Sequence, residues 1–387
     1  MSAPDSAPPR KRLLGLDALR GLAVLLMIEQ HMGVWLWQGP APGESMHDHM
    51  GLLAFNALGG GAAPTFVTLA GIGSCLLARK REGRGDNPDR ALVLRGLVVM
   101  AFGYLLSLMT PSWFSPRAWF VLHLMGLGML TTPLWRRLPT AALLGIGVAI
   151  LLATGPLQAW VGVPLHMDNP YMAGRSPISP HDWVGLRIAL LEGQFPVFPW
   201  FSFYLAGIVV GRHVSDGRLR RTAALAGGAL ALGLVGVASR YLVPAAKGGA
   251  LWRTTTLNVP FFPASPTLVV LLLAIVLLGI FALMVWDDRR PLSENNPLVT
   301  LGRASLTLLL LHVWLFRELT RVDGWWQLHV PPLAWLSRWT HWWQALSVGE
   351  SLSLLLGFVV FAVVATRLWQ RVDYRYGAEW ALRKLAP

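Results

Sequence analysis

From residue 13 onward, apolar runs alternate with short polar or basic segments. A helix of roughly 20 apolar residues crosses the hydrocarbon core of a bilayer. Ten such runs can be drawn, at 13–37, 54–78, 92–110, 118–135, 138–157, 191–211, 222–242, 264–286, 297–316 and 347–366. This pattern predicts an all-α fold, a polytopic integral membrane bundle of about ten transmembrane helices. One multi-span domain covers 13–366, between a tail at 1–12 and a basic amphipathic tail at 367–387. The sequence shows no internal repeat, which argues against an inverted-repeat transporter.

The first run, LLGLDALRGLAVLLMIEQHMGVWLW, is unusual because it carries Asp17, Arg20, Glu29 and His31. Ionisable groups in a membrane helix are costly and by default mark function. Arg20 and His31 are eleven residues apart, which puts them within roughly 20° of one helical face and about 16 Å apart along the axis. Asp17 and Arg20 form an i,i+3 pair that can neutralise itself. Glu29 points to nearly the opposite side. One face of this helix is therefore predicted to be a polar rail.

Polar positions recur in later runs. The ninth has Arg303 near one end and His312 deeper in, and the fourth carries His123. The sixth opens GQFPVFPWFSFYLAG, where Pro196 and Pro199 interrupt the first turn beside Trp200. Such breaks are tolerated where the backbone lines a cavity. Directly before the second run lies His47-Asp48-His49. A histidine oriented by a carboxylate is a minimal general base. No third ligand is fixed nearby, so no metal site is predicted. Trp335, Trp339 and Trp342 share one helical face and read as a short interfacial helix.

Composition narrows the class. The chain has 387 residues, 54% hydrophobic and only 14% charged, with a mean hydropathy of +0.49. A net charge of +13 would suit nucleic acid, but the basic residues flank the apolar runs, so a nucleic-acid partner is not expected. With the N-terminus inside, the inner segments hold 22 of the 33 lysines and arginines and the outer ones 9. That bias predicts both termini to be cytoplasmic and the N-terminal tail to be uncleaved. Cys75 is the single cysteine, so neither a disulfide framework nor a cysteine metal site is available.

Five stretches carry a resemblance: GLDALRGLAVLLMIEQH, APTFVTLAGIGSCLLARK, VLHLMGLGML, FPVFPWFSFYLAGIVVGR and NPLVTLGRASLTLLLLH. Their order and spacing over about 12–315 resemble the bacterial membrane proteins related to heparan-alpha-glucosaminide N-acetyltransferase. The Arg20 and His31 pair is also similar to the signature of the wider acyltransferase-3 superfamily. The resemblance implies an acyltransferase-3-like bundle in the bacterial inner membrane. Its expected reaction moves an acetyl or other acyl group from cytoplasmic acyl-CoA to an amine or hydroxyl of an extracytoplasmic glycan.

In that family the catalytic histidine follows the first span, which implicates His49 and His47. His31 is the candidate on the polar rail, and the base stays open among the three. Cations for the CoA phosphates are Arg20, Arg303 and Arg79, the last within an Arg79-Lys80-Arg81 cluster. Asp17, His123, Trp200 and His312 are expected to line the pocket. Acyl-CoA is the expected co-substrate, with the bilayer and a glycan acceptor as partners and the oligomeric state left open. A transporter or flippase using the same rail is the rival reading.

Overall fold

The computed structural model describes residues 13–166, 184–257, 262–321, 324–340, 343 and 345–387. The tail at 1–12 and Trp342 lie outside the described residues. The regular structure described is helical, apart from one isolated bridge between Trp37 and Leu346.

Each apolar run falls on helix. In chain order these are α1 (Leu14–Leu36), α2 (Met50–Gly59), α3 (Ala62–Glu82), α4 (Asp89–Met109), α5 (Val121–Trp135) and α6 (Thr140–Val161). There follow α7 (Val197–Ser215), α8 (Arg220–Leu242), α9 (Pro266–Arg289), α10 (Pro297–Arg303), α11 (Ser305–Trp314), α12 (Val348–Gln370) and α13 (Ala378–Leu385). Among the described residues, seven helical segments are long and apolar enough to cross a membrane, or eight if the bent pair α10–α11 counts as one span. The chain is a multi-pass helical membrane protein. Two of the ten expected spans fall outside that set for physical reasons. The polar positions of α1 lower its hydropathy, and α5 has only 15 residues.

Two breaks depart from the apolar pattern. The run at 54–78 is interrupted at Gly60–Gly61, between α2 and α3. The run at 297–316 bends by 76° at Ala304, between α10 and α11. A bend of this size frees backbone N–H groups at the start of α11, and these need acceptors. Glu379, on α13, supplies them. Its carboxylate accepts from the N–H groups of Leu306 and Thr307 and from the Thr307 hydroxyl. Thr307 Oγ1 in turn accepts from Ala378 N at 2.8 Å. The amphipathic tail thus contains a helix that caps a distant break.

Packing forms two main apolar clusters. One gathers α3, α5, α6, α7, α8 and α9 around Trp200, Phe203 and Tyr204. The other gathers α1, α4, α11 and α12 around Met32, Phe316 and Phe358. Between membrane helices, association depends on close packing rather than on the hydrophobic effect, so small residues sit at the contacts. A Cβ at Gly21 would overlap the Leu298 carbonyl oxygen, and one at Gly302 would overlap the Asp17 carbonyl oxygen. These two glycines let α1 run against α10, and that contact positions the site.

Candidate active site on the first helix

The α1–α10 contact brings Asp17 between two arginines. Arg20 Nη1 donates to Asp17 Oδ1 at 2.9 Å, and Arg303 Nε lies 3.6 Å from Asp17 Oδ2. Arg303 Nη1 also reaches Glu294 Oε2 at 3.3 Å. Asp17 is buried, which is sustainable because it is paired on both sides. Arg20 and Arg303, nearly three hundred positions apart in sequence, thus share one carboxylate.

Further along the same face, His31 Nδ1 lies 2.8 Å from His312 Nε2. His312 is fully buried and its Nδ1 lies 2.7 Å from the Leu308 carbonyl oxygen. A carbonyl can only accept, so His312 Nδ1 carries the hydrogen. In the neutral pair, His312 Nε2 must then accept from the N–H at His31 Nδ1. The lone pair of His31 is left on Nε2. One backbone carbonyl therefore fixes both tautomers and leaves a base at a defined atom.

Aromatic rings enclose this pair. Trp35, one turn beyond His31, stacks on it with ring centres 4.7 Å apart, and lies 6.1 Å from His312. Trp113 meets Trp35 edge-on at 6.3 Å, and the Arg317 guanidinium sits 3.3 Å over the Trp113 ring. From Trp113 the wall continues through Phe114 and Phe120 to His123. His123 is buried and accepts from Phe120 N at 3.3 Å through Nδ1, at the far end of that wall from His31. The α1 periodicity was legible in sequence. His312 as direct partner was not, nor were Trp113 and Arg317 as walls. Trp35 carried an available signal, because it stands four residues from His31.

The remaining candidates lie elsewhere. Trp200 is fully buried in the other apolar cluster, against Phe195 and Phe203. Arg79 pairs with Asp216 at the end of α3 and does not join Arg20 and Arg303. His47 is exposed. His49 Nε2 contacts Glu44 Oε2 at 3.0 Å, and its ring meets Trp37 edge-on at 5.4 Å. Trp37, just past the end of α1, lines the same cavity as Glu29, so His49 sits on that side of α1 and not on the His31 face. Among the described residues, no group of three or more His, Cys, Asp or Glu side chains is placed to hold a metal ion.

An activated acyl donor carrying phosphates would need cations at one end of the rail and a base at the other. Arg20 and Arg303 provide the cations, and Arg303 Nη2 has no hydrogen-bond partner among the described residues. That donor set fits a phosphate. A polar column thus runs inside the multi-pass helical bundle, with arginines at one step and histidines at the next. The family description "Heparan-alpha-glucosaminide N-acetyltransferase, catalytic" matches residues 12–243, and the chain belongs to that family of transmembrane acetyltransferases. No curated protein matches the chain. The matched region contains Arg20 and His31 but ends before Arg303 and His312, so the structure completes the column from outside it.

Proposed function

We propose that the protein transfers an acyl group, acetyl by its family, from cytoplasmic acyl-CoA to an amine or hydroxyl of an extracytoplasmic glycan. The observation that carries this reading is the lone pair fixed on His31 Nε2, on the same helical face as Arg20. The roughly 16 Å between them suits a phosphate-anchored donor whose thioester reaches inward on a flexible arm. The proposed orientation places both termini in the cytoplasm of a bacterial inner membrane, with α1 and α5 completing a ten-span path.

A thioester is already activated, so the protein must chiefly hold donor and acceptor together and remove one proton. His31 Nε2 takes the proton of the acceptor N–H or O–H. The freed nucleophile attacks the thioester carbonyl, the new C–N or C–O bond forms and the C–S bond breaks. The CoA thiolate then recovers the proton from His31, which restores the neutral pair. Arg20 and Arg303 hold the donor's phosphates, and Trp35 limits water around the imidazole.

Purified protein in lipid nanodiscs, given acetyl-CoA and an amino-sugar acceptor, should release CoA thiol in step with an added acetyl mass on the acceptor. His31→Ala should release it at least about a hundredfold more slowly. Solute movement across proteoliposomes without thiol release would instead favour the transporter reading.

A further inference from the structure

The opposite side of α1 presents a different chemistry. Glu29, Gly33 and Trp37 recur there at four-residue intervals and face a cavity of about 300 Å³ between α1, α2 and the start of α12. Most of its wall is apolar, including Val34, Leu52, Phe55 and Leu352. Two polar side chains inside it are almost fully withdrawn from water, Glu29 at 8% exposure and Ser351 at 7%. Glu29 Oε2 and Ser351 Oγ are both buried without a hydrogen-bond partner. Gly59 lets α2 close on α1 beside this acid, since a Cβ there would come within 2.3 Å of Gln30 Cβ and 2.8 Å of Glu29 Oε2. The third polar group is Asn56. Its Nδ2 donates to the Gln30 carbonyl at 3.2 Å and also to the Glu29 carboxyl, which leaves its amide oxygen to accept.

The cavity therefore offers one acid and no basic side chain to meet it. No lysine, arginine or histidine is among its lining residues. A buried carboxylate without a counter-charge is costly and takes up a proton unless a cation or a strong donor meets it. A phosphate would be repelled. A hydroxyl has one hydrogen to give, and a quaternary ammonium has none. A primary ammonium has three N–H donors and one positive charge, matching one carboxylate, one hydroxyl and one amide oxygen. Around the rim, Val34, Phe55 and Leu352 expose apolar surface, which suits a hydrocarbon chain.

We propose that this cavity binds the primary-ammonium head of a membrane amphiphile, with its apolar chain passing over Phe55 and Leu352 into the surrounding lipid. The site is separate from the transfer column, because Glu29 and His31 lie about 200° apart on α1. It does not depend on the reaction proposed above.

The test is native mass spectrometry of the full chain released from nanodiscs holding equal amounts of phosphatidylethanolamine, its mono- and dimethylated forms, phosphatidylcholine and phosphatidylglycerol. Wild type should retain the primary amine best, with retention falling at each methylation and lowest for phosphatidylglycerol. Glu29→Gln should cut retention of the amine at least about tenfold, the scale of a lost charge-assisted hydrogen bond. Ser351→Ala should weaken retention by less. Equal retention of all five lipids by wild type would overturn the proposal, as would amine retention unchanged in both variants. Should Glu29→Gln fail to fold, the methylation series on wild type and the Ser351→Ala variant still decide it. CoA thiol release, measured on the same samples, reports separately on the transfer reaction.

Discussion

His31 Nδ1 and His312 Nε2 stand 2.8 Å apart although 281 positions separate them in sequence. Together with the Leu308 carbonyl they form a one-way chain of hydrogen bonds whose free end is His31 Nε2. The two histidines therefore have different jobs. In the proposed reaction His31 meets the acceptor's proton, and His312 is a positioning residue that selects the tautomer.

Substitutions should separate those jobs. His31→Ala should lower transfer by about a hundred- to ten-thousand-fold, the usual cost of losing a general base, with acyl-CoA binding retained. His312→Phe should lower kcat while leaving the KM for acyl-CoA in place. His312→Gln keeps an acceptor for the hydrogen on His31 Nδ1 and should recover much of that loss. Equal activity in the Phe and Gln variants would mean that His312 only fills space.

The loop histidines make a second comparison. His49 is held by Glu44 and Trp37 on the Glu29 side of α1, while His47 is exposed. The Ala41 N–H, and after it the His49 hydrogen bond, pull the Glu44 carboxyl below the usual glutamate range. A pKa lowered in the folded state means the clamp contributes above the ordinary glutamate value and is lost as pH falls through the lowered one. At neutral pH the clamp is therefore intact. His47→Ala and His49→Ala should each cost less than about tenfold in transfer if His31 is the base. A loss in either variant as large as that in His31→Ala would move the base to the loop.

How much of this was legible from residues alone depends on the range of the interaction. The Arg20–His31 rail and the opposed Glu29 follow from helical periodicity, a local property, and the structure keeps both. The sharing of Asp17 by Arg20 and Arg303 depends on α1 meeting α10 at two glycines, which no periodicity encodes. The bend at Ala304 was hidden for a similar reason. Its run reads as continuous apolar helix, and the compensating Glu379 lies more than seventy positions away. Arg79 shows the converse. A basic cluster at a helix end looks like a ligand site in sequence, yet here it pairs with Asp216.

Orientation is tested by labelling. A cysteine at position 48, on a Cys75→Ala background, should react with an impermeant maleimide added from outside the cell. The basic bias of the inner segments carries this expectation. Labelling only from the cytoplasmic side would reverse the bundle and remove the cross-membrane reaction with it.

The carboxylate shared by two guanidiniums should be more sensitive than either cation. Asp17→Asn leaves Arg303, whose side chain is only 9% exposed, paired with the more exposed Glu294. Losing one member of a buried ion pair typically costs about 3–5 kcal/mol. Arg20 is 30% exposed, so Arg20→Gln should be mild in stability and should chiefly weaken acyl-CoA binding. Thermal unfolding in detergent and binding of a non-hydrolysable CoA thioether measure the two effects. Normal binding by Arg20→Gln, with the melting temperature lowered, would make the Arg20–Asp17 pair structural.

The contact that sets the register of the whole column rests on Gly21 and Gly302, and it gives the last prediction. A side chain at either glycine cannot be absorbed by a flexible neighbour, because the atoms it would meet are backbone carbonyls of the facing helix. The α1 and α10 axes must separate, or one must slide. Either movement acts on both steps of the column at once, since Arg20 and His31 are carried by α1 while Arg303 is on α10 and His312 follows it on α11. Overpacking of this kind commonly costs about 1–3 kcal/mol. Gly302→Ala should therefore lower the melting temperature, weaken CoA-thioether binding and reduce kcat together. Gly73→Ala is the control, because nothing lies within 4 Å of the Cβ it would add. It should change none of the three. A Gly302→Ala protein that keeps both CoA binding and turnover would show that the column does not depend on the register of α1 against α10.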